Sequence, residues 1–437
     1  MLQVYSPQVT PRISFIFDLI FKNILGLEYR VTDNREAFLK CSGPRLNYSG
    51  SRFDSEVFIE SSGLLFDKGV RPQALRVSAW NGTKMFYETS AGSDLPFDIF
   101  AASFWLVTRY EEYLPSIRDK HNRFMASESL AIKNDFLQRP LVNIWSAILK
   151  ELLLTKFPGL VFTPPEYSYI STFDLDNVYC YKGKSWWRNA GGAVKSLMRM
   201  DFSGIGQRIK VLSGKIPDPY DHYDFHRSLQ KQYGIPIIYF LLYAKKSRFD
   251  GAVSRKSAAY QALIETVKKY AETGIHPSYF SGEKPGLLLS EVIHLAKALQ
   301  KPVTKSRQHF LKLSFPATYQ NLVKAGITED YSMGYQSHPG FRAAICTPYF
   351  FFDLKTETVT NLKIFPFCIM DSTLYDYMKL SPADAWPHIK SLVEEVKNVN
   401  GTLITIWHDR TFCNTGLYKG WKALFAEMVK IASTKKF

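Results

Sequence analysis

From Tyr167 onward, short apolar runs rich in β-branched and aromatic residues alternate with longer segments of helical periodicity. The runs occupy residues 167–173, 235–243, 274–278, 302–309 and 402–407. The intervening segments are too long for hairpins and suit helical crossovers, which join parallel strands. The C-terminal part is therefore confined to an α/β architecture, a parallel sheet wrapped by helices and either open or closed into a barrel. The helical segments carry their own signals. Residues 257–273 place Tyr260, Leu263, Val267 and Tyr270 on one face, with Gly274 where a C′ glycine belongs. Another helix opens at Ser381, has Pro382 at its first helical position and closes before Gly401.

The chain has 437 residues, more than one ordinary core supports, and two domains are expected. Ahead of Tyr167, turn signals such as Asn47-Tyr-Ser-Gly50 break up short apolar runs. Asn81-Gly82 lies between residues 77–80 and 84–88 as the turn of a hairpin would. Helical periodicity follows at 98–113 and 140–157, and Pro158-Gly159 and Pro164-Pro165 close the region. The expectation is a smaller α+β domain over residues 1–163 and the parallel-sheet domain over 164–437. Residues 13–27 read as an amphipathic helix packed on its own domain. Asp18, Lys22 and Asn23 interrupt it, so it suits neither a signal peptide nor a bilayer span, although peripheral membrane contact is compatible with it.

Charge bounds the partners without naming one. A net +15 and a pI near 9.3 favour anionic partners, but the cations are scattered, as in 182–188 and 195–208, with no recognition-helix, zinc-finger or RNA-binding pattern. A nucleic-acid role is not expected. Five widely spaced cysteines without a C-x-x-C pair fit a reducing compartment, hence a cytoplasmic location. The aromatic share of 15% can supply sugar-stacking faces, yet aromatic rings more often fill cores.

In parallel-sheet folds chemistry gathers at the carboxyl ends of the strands. Titratable residues stand there in this chain. Ser171-Thr-Phe-Asp-Leu-Asp176 puts Asp174 and Asp176 at i and i+2, on one face of an extended chain. One carboxylate could ligate a metal and the other act as a base toward an activated water, although a strand-end turn capped by Asp explains the pair equally well. Gly274-Ile-His-Pro-Ser278 supplies His276, and Ser306-Arg-Gln-His309 supplies His309. Gly340-Phe-Arg342 leads to Thr347-Pro-Tyr349, Asp371 follows Phe367-Cys-Ile-Met, and an apolar run ends in His408-Asp409. Each signal alone is weak, and His294 reads as an ordinary helix residue.

Their order resembles the motif series of the polysaccharide deacetylase superfamily, the carbohydrate esterases of family four, over roughly residues 167–437. More narrowly, the chain resembles a Bacteroidetes-type subgroup with an N-terminal domain of unknown function. That part of the likeness rests on Leu95-Pro-Phe-Asp through Tyr113 and on Arg139-Pro-Leu-Val-Asn143. The resemblance implies a distorted (β/α) barrel and a divalent metal ion, zinc first. It also implies a role for each residue: Asp174 as general base, Asp176 and His276 as metal ligands, Arg342 orienting the base, Pro348 and Tyr349 lining a carbohydrate groove, Asp371 fixing His408, and His408 as general acid. One position departs from the pattern. Phe280 stands four residues after His276, where a second histidine belongs, and His309 is the preferred replacement ligand. The implied activity is removal of an acetyl group from an acetylated sugar or glycan precursor; the expected cytoplasmic location and the basic charge point to a nucleotide- or lipid-linked one. Two other readings remain open at this point: a metal-free glycan-binding or assembly module, and a glycoside hydrolase using a carboxylate pair.

Overall fold

The computed structural model describes residues 1–251 and 253–434. Its first sheet is built from β1 (Leu2–Tyr5), β2 (Tyr29–Thr32), β3 (Arg45–Ser49) and β4 (Val57–Glu60), in the order β2-β1-β3-β4, and every neighbour is parallel. This corrects the expectation of an α+β domain. The helical stretch from Pro11–Phe17 into Asp18–Ile24 carries the chain back from β1 to β2, and a shorter helix, Arg35–Lys40, precedes β3. Crossovers of that kind produce parallel neighbours. The Asn81-Gly82 hairpin is present as β5 (Ser78–Trp80) and β6 (Thr83–Met85), with both turn residues at positive φ.

A nine-stranded sheet forms the rest of the molecule. Its strands are β7 (Ser168–Leu175), β8 (Ile237–Leu241), β9 (Glu272–Ile275), β10 (Lys305–Ser306), β11 (Glu329–Asp330), β12 (Tyr349–Asp353), β13 (Thr358–Ile364), β14 (Ile369–Met370) and β15 (Thr402–His408). The order is β12-β13-β11-β10-β9-β8-β7-β15-β14, parallel throughout except for the β12-β13 hairpin. The sheet curls around an inner cluster of Ile238, Phe240, Tyr331, Phe367, Ile404 and Ile406. Among the described residues no ladder joins β14 to the opposite edge.

The two-residue period of a strand decides which side chains reach the site. In β7, Phe173 points outward, stacks on His226 at a ring separation of 4.0 Å and meets Phe425. Thr172 and Asp174 therefore take the inner face, and in β15 His408 follows Ile404 and Ile406 onto it. Helix placement departs from expectation at one point. The helix capped by Ser257 ends at Val267, and Gly274 lies inside β9. A Cβ on Gly274 would come within 2.6 Å of the Phe240 ring and 2.8 Å of the Lys305 carbonyl oxygen, so close approach of strands explains this glycine.

The helix Leu141–Lys156 ends where the proline-rich stretch begins, and β7 opens at Ser168. The regions on either side of this stretch share one hydrophobic core, in which Phe15 and Phe104 pack on Phe352. Polar contacts also cross between them, including Arg12 with Glu357 and the Asn143 amide with Thr347 Oγ1.

Candidate active site

The carboxyl ends of β7, β8, β9, β10, β14 and β15 surround a cavity of about 290 Å³. Asp174, Asp176, His276, His309 and His408 all line it. His276 follows β9 and donates from Nδ1 to the Arg307 carbonyl oxygen at 2.6 Å. His309 donates from Nδ1 to Asp250 Oδ1 at 3.0 Å. A carbonyl or carboxylate oxygen only accepts, so each Nδ1 carries a ring proton, and it is Nε2 that each ring turns to the cavity, a lone-pair donor whenever the imidazole is neutral. Those Nε2 atoms lie 3.3 Å and 3.6 Å from Asp176 Oδ1, a buried oxygen that receives no hydrogen bond.

Three lone-pair donors converging in a buried space call for a cation. Donor atoms on a tetrahedral ion with bonds near 2.0–2.1 Å stand roughly 3.3–3.4 Å apart, which the two contacts to Asp176 approach. The three ligand atoms all fall within 4.8 Å of one another. Each histidine also has the partner that metal-bound imidazoles ordinarily have on the opposite nitrogen. Asp176, His276 and His309 thus fit a divalent metal ion. Burial would raise the Asp176 pKa, but His276, His309 and His408 outweigh it and hold the carboxyl well below its usual range. Burial would likewise lower His276, and the Asp174 and Asp176 carboxylates override it and push it up.

Across the cavity His408 Nε2 lies 4.0 Å from Asp176 Oδ2. Its Nδ1 is bonded to Asp371 Oδ1 at 2.6 Å, its backbone N–H donates to Asp371 Oδ2, and Thr411 donates to that same oxygen. Burial opposes the charged imidazole, but the Asp371 carboxylate prevails and pushes the His408 pKa up to about 9. Asp409 beside it is pushed up to about 7 by burial and by Asp176.

Arg342 does not contact Asp174, contrary to expectation. Its buried guanidinium is paired with Glu112, which Arg109 also engages. The neighbour of Asp174 is Arg307, whose Nη1 donates to Asp174 Oδ1 at 3.0 Å and to Thr172 Oγ1 at 2.7 Å, while Nε donates to the Tyr331 carbonyl. Arg307 sits on the inner face after β10, whereas Arg342 lies in a segment directed to the N-terminal region. Pro348 and Tyr349 do not line the cavity either. Tyr349 opens β12 and borders a separate cleft with Phe15 and Leu19. Sequence reasoning missed Arg307, although it stands two residues before His309, and missed Asp250 and Arg410 altogether. It also missed Arg123, which reaches the cavity wall from the N-terminal region and donates to the Phe310 carbonyl.

Comparison with known proteins covers the two regions unequally. Residues 2–158 match the model of a family of unknown function, DUF7033. No curated protein matches the chain in sequence. Several solved structures are similar to it, three of which follow. One is a Mycobacterium smegmatis protein assigned provisionally as a polysaccharide deacetylase, with 12% identity over 62% of this chain and 86% of that one and a TM-score of 0.40. Another is an allantoinase, with 12% identity over 62% and 88% and a TM-score of 0.38. The third is a family 4 carbohydrate esterase from Streptomyces lividans in complex with acetate, with 10% identity over 60% and 90% and a TM-score of 0.27.

Proposed function

We propose that the chain is a metal-dependent hydrolase that removes an acetyl group from an acetylated carbohydrate by cleaving an amide bond. The observation that carries this reading is the convergence of Asp176, His276 and His309, with both histidine Nδ1 protons engaged elsewhere, opposite an Asp371-held His408. A divalent ion such as zinc, when bound, supplies Lewis-acid polarisation of the acyl carbonyl and lowers the pKa of a water. Asp174, held by Arg307, takes the proton from the attacking water. His408, protonated near neutral pH and fixed by Asp371, delivers a proton from Nε2 to the departing amine. Phe249, Phe310 and Tyr377 on the cavity wall offer faces for a sugar ring, and Gln308 and Gln336 offer hydroxyl partners.

Metal analysis of the full chain after reconstitution with zinc, beside acetate release from N-acetylated oligosaccharides, tests the reading. We expect about one ion per chain, lost in Asp176→Ala and His309→Ala. Asp174→Asn and His408→Asn should keep the metal and lose roughly 10²–10⁴-fold in acetate release. A wild-type chain that takes up no stoichiometric metal would sink the hydrolase reading and leave the glycan-binding module.

A further inference from the structure

The crossover from β7 to β8 contains a helical hairpin, Trp186–Met198 and Phe202–Leu212, that is turned inside out relative to a helix serving a soluble core. At about 100° per residue, Trp186, Trp187, Val194, Leu197 and Met198 share one face of the first helix, about 120° wide. All five are exposed, Trp186 by 81% and Met198 by 80%, and the one buried residue of that helix is the polar Asn189. The second helix repeats the arrangement with Phe202, Ile209 and Leu212 exposed. Single exposed apolar residues are ordinary, but these eight, with Met200 in the turn between the helices, form a patch of the kind that marks an interaction surface.

The surrounding charge indicates what the patch meets. Eight lysines and arginines stand between positions 182 and 215 against one carboxylate, Asp201. Lys195, Arg199, Lys210 and Lys215 form no ion pair among the described residues. An apolar face with paired tryptophans and flanking cations is the composition of a helix that lies in a lipid interface. Each such cation contributes about fivefold to partitioning onto an anionic surface. No helix among the described residues is long and apolar enough to cross a membrane, so the arrangement suits docking, not spanning.

We propose that residues 186–212 are a peripheral docking surface for an anionic lipid bilayer. The hairpin departs from the carboxyl end of β7, the end that carries Asp174 and Asp176, and Lys246 Nζ lies 4.9 Å above the Trp187 ring. Lys246 belongs to the segment after β8 that supplies Phe249 and Asp250, so docking brings the bilayer to the side of the molecule on which the cavity opens. The inference stands independently of the hydrolase reading, because lipid binding is measured without turnover.

The test is sedimentation of the full chain with vesicles of phosphatidylcholine alone or with roughly one-third phosphatidylglycerol. At least tenfold tighter binding to the anionic vesicles is expected, weakening with added salt. The triple variant Trp186→Ser, Leu197→Ser, Met198→Ser should bind at least tenfold more weakly while keeping the wild-type thermal transition. The double variant Trp186→Phe, Trp187→Phe should still bind but lose the fluorescence quenching that bromine-labelled acyl chains cause in the wild type, a readout that survives even if the triple variant fails to fold. Absence of vesicle binding, equal binding to both compositions, or quenching unchanged in the double variant would overturn the proposal. So would a concentration-dependent dimer abolished by the triple variant, which would make a second copy of this chain the occupant.

Discussion

At the scale of single residues, the His276 and His309 imidazoles are useful because another group fixes each tautomer. For His309 that group is Asp250, which sits 59 positions away and carries no local motif. Removing the carboxylate in Asp250→Ala frees the ring to rotate and to place its proton on Nε2. Zinc affinity should fall roughly 10–100-fold in a competition titration against a chelator, with the fold retained. An unchanged affinity would mean that His309 is not a ligand. A similar argument applies to Asp371. Asp371→Asn keeps the shape but removes the charge that raises His408, so acetate release should fall by about 10²-fold or more with metal content unchanged. Asp174, Asp176, His276 and His408 were legible from sequence because each ends an apolar run. Arg307 stood in a motif already singled out, but its side chain's target is set by the curl of the sheet, and a guanidinium has reach enough to serve several neighbours.

At the scale of elements, β7 and β15 act through alternation, and their outer faces matter as much as their inner ones. Outer Phe173 stacks on His226 of the helix Tyr223–Tyr233. Burial is the main cause that depresses the His226 pKa well below 6.5, with His222 and Lys422 adding to it. In the unfolded chain the same ring titrates near 6.5, so below that pH the unfolded state binds the extra proton. Stability from this site is complete above about pH 6.5 and declines as pH falls, by up to about 1.4 kcal/mol per pH unit. His226→Phe should flatten the dependence of the urea midpoint on pH between about 6.5 and 5. Parallel slopes for variant and wild type would show that the acid sensitivity resides elsewhere. Close approach of strands gives a second expectation. Gly274→Ala drives a methyl into the Phe240 ring and the Lys305 carbonyl, and urea unfolding should show a loss of about 1–3 kcal/mol. Sequence placed this glycine at a helix C-terminus, since positive-φ caps and tight strand packing both select glycine and only strand neighbours distinguish them.

At the scale of the whole molecule, the N-terminal region is part of the architecture of the cavity face. Glu112, in the helical turn Tyr110–Tyr113, is buried between Arg109 and Arg342. Arg342→Leu leaves that carboxylate with a partner lost, and a destabilisation of roughly 3–5 kcal/mol is expected by chemical unfolding, with zinc content of the folded fraction unchanged. A stable variant lacking activity would instead restore Arg342 to the catalytic role that the motif order had suggested. Arg123, which donates to the carbonyl of Phe310 in the cavity wall, extends the same dependence to the pocket. The proline-rich stretch marked a change of architecture in the sequence, but it could not show that Phe15, Phe104 and Phe352 join one core across it.

The sequence by itself determined the alternation of strands and helices, the parallel sheet after Tyr167 and the strand-end positions of Asp174, Asp176, His276, His309 and His408. These follow from periodicity and local capping, which act over a few residues. The tertiary structure alone decided that the first sheet is also parallel, that His309 comes within 3.6 Å of Asp176, that Arg307 and not Arg342 engages Asp174, and that Tyr349 faces away from the cavity. Each of these depends on how far a sheet curls and on which element covers which edge. Those quantities are fixed by packing among residues tens to hundreds of positions apart, and no local pattern encodes them.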